Sequence, residues 1–135
     1  MKNSPSKLWK NLFFLAAIFN CTAGGLGMLF PAIGFKVVTG QEITDPAVIF
    51  VFFMLCFVVA LFGFGYALVA CNAATNRGLA VIGAVGKLCF FAMAWYGYLN
   101  GLSSLLFAVV TIGDLIWAIL FIYYLRTSKN TLAVS

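Results

Sequence analysis

Four long apolar stretches constrain this chain more than any other feature. They lie at about 11–30, 47–70, 79–99 and 102–125. Each has the roughly 20 residues that a helix needs to cross a hydrocarbon core of about 30 Å. Only 8% of the 135 residues are charged, compared with about 25% in ordinary globular proteins, which excludes a soluble domain. The sequence therefore predicts an all-α integral membrane four-helix bundle, formed by residues 1–135 as a single transmembrane domain.

The positive charges predict how the bundle is oriented, since Lys and Arg in short flanking segments resist translocation. Six of them fall on one side: Lys2, Lys7, Lys10, Arg77, Arg126 and Lys129. On the other side Lys36 is accompanied by Glu42 and Asp45. We therefore expect both the N and C termini to be cytoplasmic, in a bacterial inner membrane. The net charge of +5 is then a topology signal, and no nucleic-acid partner is expected.

The connections between the stretches carry turn and capping signals. Pro31 is expected to end the first helix. The residues around Lys36 form either a short turn of helix at the membrane interface or an ordinary surface loop. Thr75 or Asn76 is expected to cap the start of the third helix. Asn100-Gly101 is so tight a connection that the third and fourth helices must form an antiparallel hairpin.

One polar residue interrupts each apolar stretch at a similar depth. Asn20, Tyr66, Lys87 and Asp114 each lie about 10 to 12 residues from the nearest cytoplasmic charge, or roughly 15–18 Å at 1.5 Å per residue. Small residues occupy the same helix faces, as expected where membrane helices approach closely. We therefore expect these four side chains, called the polar cluster below, to converge inside the bundle near the midplane.

Within the polar cluster, Lys87 and Asp114 are predicted to form an ion pair. A lone charge at a helix centre costs about 2.5–3.5 kcal/mol even on a lenient insertion scale. The attraction of two charges about 4 Å apart is roughly 4 kcal/mol at an effective dielectric of 20, so the pair offsets its desolvation with little surplus. We expect the Lys87 nitrogen and an Asp114 oxygen to lie within about 6 Å, with Asn20 and Tyr66 supplying hydrogen bonds to the pair.

The polar cluster has a structural and a functional interpretation. A buried ionic pair can fix the register of a small bundle. Intramembrane ionisable residues are also candidate functional groups, here for a small or lipid-like ligand such as a quinone, or for a partner helix. The apolar pocket above them would be lined by Phe91, Trp95, Phe107 and Trp117, although such residues also pack or contact lipid. The chain would then act as a homo-oligomer or as an accessory subunit of a larger membrane complex.

A small proton-coupled transporter or channel is the alternative function. Asp114 is the one acid within the four apolar stretches, and a proton-coupled carrier needs such a carboxylate. Small multidrug carriers also have four helices, but their essential Glu lies in the first helix, where this chain has Asn20. Small fluoride channels depend on dual-topology pairing, which the charge bias disfavours.

Catalysis is the least favoured class of function. The chain has no His, which removes the commonest general base and the usual ligand of zinc and haem b. Its four cysteines, Cys21, Cys56, Cys71 and Cys89, form no C-x-x-C pair, so neither a redox motif nor a metal site is predicted. We expect a non-enzymatic protein without a cofactor or a metal.

Five segments, spread over nearly the whole chain, combine glycines with these polar residues. They are Phe19-Asn20 with the following glycines and Pro31, Phe62-Gly-Phe-Gly-Tyr66, Thr75-Asn-Arg-Gly78, Gly83-Ala-Val-Gly-Lys87 and Ile112-Gly-Asp114. In this pattern the chain resembles the small bacterial four-helix membrane proteins grouped as DoxX-like. The resemblance implies a four-helix bundle in the cytoplasmic membrane and, for some relatives, an association with quinone-linked oxidation. It implies no catalytic residue.

Overall fold

A computed structural model of the protein describes residues 7–128, which are helical apart from short connections. Six helices follow one another: α1 (Lys7–Leu29), α2 (Pro31–Thr39), α3 (Pro46–Cys71), α4 (Arg77–Leu99), α5 (Leu105–Val110) and α6 (Ile112–Thr127). A helix satisfies its own backbone hydrogen bonds, as a hydrocarbon environment requires. No strand occurs within residues 7–128, and the predicted all-α fold is confirmed.

Four segments are long and apolar enough to cross a membrane: α1, α3, α4 and Leu105–Thr127, which α5 and α6 form together. They correspond to the four predicted stretches and mark the chain as a multi-pass membrane protein. Large apolar side chains such as Val51 and Ile82 are more than half exposed on their outer surfaces, as expected for helices that face lipid. Lys2 and Lys129, two of the charges used to predict orientation, lie outside the described residues.

The connection between the first two spans contains a helix. Pro31 does follow the end of α1 at Leu29, but it also occupies the first turn of α2, where its missing N–H is not needed. Gly40, with a φ of 77°, ends α2 and donates its N–H to the Lys36 carbonyl. Of the two structures considered for the residues around Lys36, the helix is therefore the one that forms.

The fourth span starts later than predicted, at Leu105 and not near residue 102. Gly101, with a φ of 70°, turns the chain after α4. Ser104 then caps α5, because its Oγ accepts the Phe107 N–H at 3.1 Å. The same Oγ donates to the Val37 carbonyl at 2.5 Å. Ser104 therefore ties the start of the fourth span to α2.

The connection between α3 and α4 corrects the capping prediction. Asn76 stands at the N-cap position of α4, but its side chain makes no capping hydrogen bond there. Its Nδ2 donates instead to the carbonyls of Leu68, at 2.9 Å, and Asn72, at 3.0 Å. Asn76 therefore satisfies carbonyl groups at the end of α3, whereas an N-cap accepts from N–H groups at the start of the next helix.

The spans pack as two close pairs, α1 with α3 and α4 with α6. Between α1 and α3 the two backbones touch at small residues. A Cβ added at Gly24 would lie 2.6 Å from both the Ala60 nitrogen and the Cys56 oxygen. A Cβ added at Gly63 would lie 2.8 Å from the Cys21 nitrogen. Small residues thus allow the close approach that membrane helices need, since lipid provides no hydrophobic drive between them.

Aromatic side chains fill the space between the two pairs at one end of the bundle. The Phe13 ring stacks on Phe121, with centroids 4.7 Å apart, and meets the edge of Tyr124 at 5.0 Å. Tyr66 packs against Phe121 at 5.0 Å, and the Tyr124 hydroxyl donates to the Ala73 carbonyl at 3.3 Å. All four rings are buried. The apolar core therefore sits where α1 begins and α6 ends.

The contact of α1 with α3 generates a matched test. Gly24→Ala places a methyl group against the α3 backbone, whereas Gly25→Ala meets nothing within 4 Å. Both variants gain the same helix propensity, so their difference isolates the interhelical contact. We expect Gly24→Ala to be less stable than Gly25→Ala by about 1–3 kcal/mol, as overpacking costs. Equal unfolding free energies in mixed micelles would contradict this packing.

Candidate functional site

Lys87 and Asp114 meet inside the bundle. Lys87 lies in the middle of α4, and its Nζ is 2.5 Å from Asp114 Oδ1 of α6. The separation is well inside the limit of about 6 Å that the sequence predicts for a direct or water-bridged pair. Lys87 is 5% and Asp114 9% exposed, so both side chains are buried between the helices.

Asn20 joins this contact from α1. Its Oδ1 accepts a hydrogen bond from Lys87 Nζ at 3.1 Å. Its Nδ2 donates to the Val59 carbonyl of α3 at 3.4 Å. The amide thus connects the lysine of one helix pair to the backbone of the other. The hydrogen bond to Lys87 that the sequence predicts for Asn20 is present.

The hydrogen bond predicted for Tyr66 is replaced by a contact of its ring. Within residues 7–128 its hydroxyl makes no hydrogen bond to Lys87 or Asp114, and the ring faces the lysine instead, with Nζ 5.7 Å from the ring centroid. The reason is Gly83, where a Cβ would lie 2.5 Å from a Tyr66 ring carbon and 3.0 Å from its oxygen. The ring therefore lies across the α4 backbone one turn before Lys87. It contributes a cation–π contact and not a hydrogen bond.

A break in the fourth span lies beside Asp114. Thr111 separates α5 from α6 and is 1% exposed, and its Oγ1 donates to the Ala108 carbonyl at 2.7 Å. The Asp114 N–H donates to the Thr111 carbonyl at 2.9 Å. This hydrogen bond spans three residues, whereas a regular α-helical hydrogen bond spans four. Asp114 thus lies in the first turn of α6, where the helix dipole favours a negative charge.

Sequence reasoning missed this break, although a signal was present. Thr side chains within helices bond to carbonyls of the preceding turn and bend the helix. Thr111 and Gly113 both precede the acid within one turn. A threonine two residues before a glycine in a membrane span therefore marks a candidate break.

The aromatic residues predicted to line a pocket pack against neighbours along the bundle. Ring centroids are 6.1 Å apart for Phe91 with Trp95, 5.7 Å for Phe90 with Phe107, and 6.1 Å for Trp117 with Phe121. Sequence reasoning also missed the Trp95 Nε1, which is buried without a hydrogen-bond partner within residues 7–128.

Among the cavities on the surface of the described residues, two are described here by their linings. One, of about 190 Å³, lies between α3 and α4 and is called the lateral groove here; it is lined by Leu61, Phe62, Gly65, Tyr66, Leu79 and Ile82. The other, of about 280 Å³, is lined by Ala32, Ile33, Lys36, Glu42 and Ile43. Neither is lined by Phe91, Trp95, Phe107 or Trp117, so their role in a pocket stays a prediction.

The second cavity carries an exposed ion pair. Lys36 Nζ lies 2.8 Å from Glu42 Oε1. Its hydrogen bond and charge raise the pKa of Lys36 and lower the pKa of Glu42. Because the pKa of Glu42 is lowered, the contribution of the contact is complete above the ordinary Glu pKa and is lost as the pH falls through the lowered pKa. Both side chains are more than half exposed, so solvent screens the pair and it adds little to stability.

The chemistry available in the polar cluster is limited to one lysine, one carboxyl, one amide and one phenol. Within residues 7–128 no three Cys, Asp or Glu side chains come together in a way that could hold a metal ion. Comparisons with protein families, with curated proteins and with solved structures gave no match. The function must therefore be argued from the geometry of the cluster and from the lateral groove beside it.

The Lys87–Asp114 contact generates a double-mutant test. Lys87→Met and Asp114→Asn each leave the other group buried without its partner, which costs about 3–5 kcal/mol. The double variant removes both groups, so we expect it to lose much less than the sum of the single losses. Unfolding free energies in lipid bicelles measure this coupling. The matched control is the exposed pair, for which Lys36→Met and Glu42→Gln should show no coupling; additive losses at Lys87 and Asp114 would contradict a paired contact.

Proposed function

We propose that this chain is a non-enzymatic protein of the bacterial inner membrane that binds a small, lipid-like ligand at the polar cluster. The observation that carries the proposal is the position of the cluster. Lys87, Asp114 and Asn20 contact one another inside the bundle, and Tyr66 extends from them to the lateral groove. Ligand sites in membrane bundles typically combine a few polar groups with apolar walls. A quinone is one ligand with a suitable shape.

The same proposal includes the ionised state of both Lys87 and Asp114. An ionised Lys87 beside an ionised Asp114 has no net charge, and the start of α6 favours the carboxylate. Asn20 supplies a further oxygen to the ammonium group. These contacts support an ion pair, because each partner lowers the cost of burying the other.

Orientation with both termini in the cytoplasm is also proposed. Arg77 at the start of α4 donates to the Leu125 carbonyl and to Ser128 Oγ near the end of α6. Trp9 of α1 packs against Tyr124 at 5.3 Å. Basic residues therefore share one end of the bundle, which supports cytoplasmic termini under the positive-inside rule. Membership of the DoxX-like proteins is likewise a proposal, and it rests on the resemblance of the glycine-containing segments alone.

Ligand binding is tested on protein purified from bacterial membranes in mild detergent. Native mass spectrometry identifies any bound small molecule and also separates a monomer from a homo-oligomer or a larger complex. We expect the wild type to release a ligand whose occupancy falls at least about tenfold in Asp114→Asn, which corresponds to the loss of a charged hydrogen bond. Glu42→Gln, in the exposed pair, is the control and should keep full occupancy. Equal occupancy in both variants would contradict the proposal, and a constant second chain would favour a partner helix.

A small proton-coupled transporter is the second candidate, and the break at Thr111 favours it. Interrupted membrane helices often flank ion and substrate sites in carriers, and Asp114 lies one turn beyond this break. If Asp114 carries protons, Asp114→Asn should abolish proton uptake into proteoliposomes under an inward pH gradient. Glu42→Gln should leave the uptake unchanged. Equal proton flux in wild type and Asp114→Asn would contradict transport.

A further inference from the structure

The Tyr66 hydroxyl is a polar group without a partner in a nearly buried residue. Tyr66 is 2% exposed, and among residues 7–128 its hydroxyl forms no hydrogen bond. Buried tyrosines usually find a partner for this group. Tyr124, which is 3% exposed, does so by donating to Ala73. The Tyr66 oxygen is not among the fully buried polar atoms without a partner, so it keeps some exposed surface and can accept a partner from outside residues 7–128.

The lateral groove provides a route for that partner from the bilayer to Tyr66. Tyr66 is the polar member of its lining, and the remaining walls are Leu61, Phe62, Gly65, Leu79 and Ile82. Leu61 is 54% and Ile82 56% exposed, so the groove opens toward the hydrocarbon and not toward either aqueous end. Its volume of about 190 Å³ is below the roughly 300–1,000 Å³ of pockets that enclose a whole ligand. The groove therefore takes part of a molecule whose remainder stays in the bilayer.

Charge and hydrogen bonding define the chemistry of that molecule. Lys87 and Asp114 neutralise each other, so the cluster next to the groove offers no net charge to attract an ion. An uncharged head group avoids the cost of bringing a further charge into hydrocarbon. The phenol of Tyr66 is a donor that lacks an acceptor, and a carbonyl oxygen is the common neutral acceptor of membrane lipids.

We infer that the lateral groove admits a neutral, carbonyl-bearing amphiphile from the bilayer and that Tyr66 donates a hydrogen bond to its carbonyl oxygen. This inference rests on the proposed function, because it names the ligand class and the route to the polar cluster. Tyr66 is then a binding residue, and Gly83 positions it by letting its ring lie against α4.

The test uses two diazirine probes in nanodiscs of ether-linked phospholipid, which lacks ester carbonyls. One probe is a diacylglycerol with the diazirine in an acyl chain, and the other is an alkane of the same length with the same diazirine. Mass spectrometry of the photolabelled peptides measures labelling at Leu61, Leu79 and Ile82. We expect the diacylglycerol to label these residues about two- to tenfold more than the alkane, as one hydrogen bond allows. Tyr66→Phe should lower its labelling to the level of the alkane.

Matched variants separate the groove from general effects. Tyr66→Phe should keep the wild-type melting temperature, because the hydroxyl makes no hydrogen bond within residues 7–128, and Tyr96→Phe on an exposed face should label like the wild type. A Cβ at Gly65 would be 4.0 Å from Leu79, and a Cβ at Gly25 would meet nothing within 4 Å. Gly65→Leu therefore starts from an open position in the groove lining and should abolish the excess labelling by filling the groove, whereas Gly25→Leu should not.

Two results would overturn the inference: equal labelling by the two probes in the wild type, or full diacylglycerol labelling in Tyr66→Phe. The inference and the proposed function fail in different ways. If Asp114→Asn loses its co-purified ligand while Tyr66→Phe labels normally, the groove inference fails and the proposed function stands. If Tyr66→Phe loses the excess labelling while Asp114→Asn keeps both the labelling and its ligand, the groove inference holds and the proposed role of Asp114 in ligand binding fails.

Discussion

The contact made by the Lys87 ammonium group governs how the two helix pairs meet. A lysine in the middle of a membrane span needs partners, because hydrocarbon offers none. Lys87 finds one within its own pair, Asp114 of α6, and one in the other pair, Asn20 of α1. Since Asn20 also donates to the α3 backbone at Val59, one side chain connects both pairs. Sliding one pair along the other would separate Lys87 from Asn20, while Lys87 and Asp114 would stay together within their own pair.

The two kinds of helix contact in this bundle leave different amounts of freedom. Between α1 and α3 the backbones touch at Gly24 and Gly63, so this pair has one close-packed arrangement. Between the pairs, aromatic rings such as Phe13 and Phe121 fill the space, and side chains can change rotamer without moving a backbone. A site placed between the pairs can therefore admit a ligand at lower cost than one placed within a pair. The polar cluster is in this more adaptable position.

The features that depend on periodicity and on charge could be predicted from the sequence. The four spans follow from their apolar length, and the meeting of Asn20, Lys87 and Asp114 follows from their common depth and small-residue faces. The Tyr66 ring orientation and the break at Thr111 do not follow, because each depends on local contacts. The orientation of the Tyr66 ring depends on the absence of a Cβ at Gly83. The break at Thr111 depends on the hydrogen bond from its hydroxyl to the Ala108 carbonyl. Such contacts have no period along the chain, so hydropathy and spacing do not reveal them, and the signal for the break is the identity of Thr111 within a span.

A cluster that serves only to hold helices together should satisfy its own polar groups. Asn20 uses both its oxygen and its nitrogen, as a structural group does. The Tyr66 hydroxyl has no hydrogen bond within residues 7–128, although the Tyr66 ring centroid lies 5.7 Å from the nitrogen of the same lysine. The Tyr66 oxygen is not among the fully buried polar atoms without a partner, and Tyr66 lines the lateral groove. An acceptor arriving through the groove would complete its hydrogen bonding, which is why the unpaired hydroxyl supports the proposed binding site over a purely structural contact.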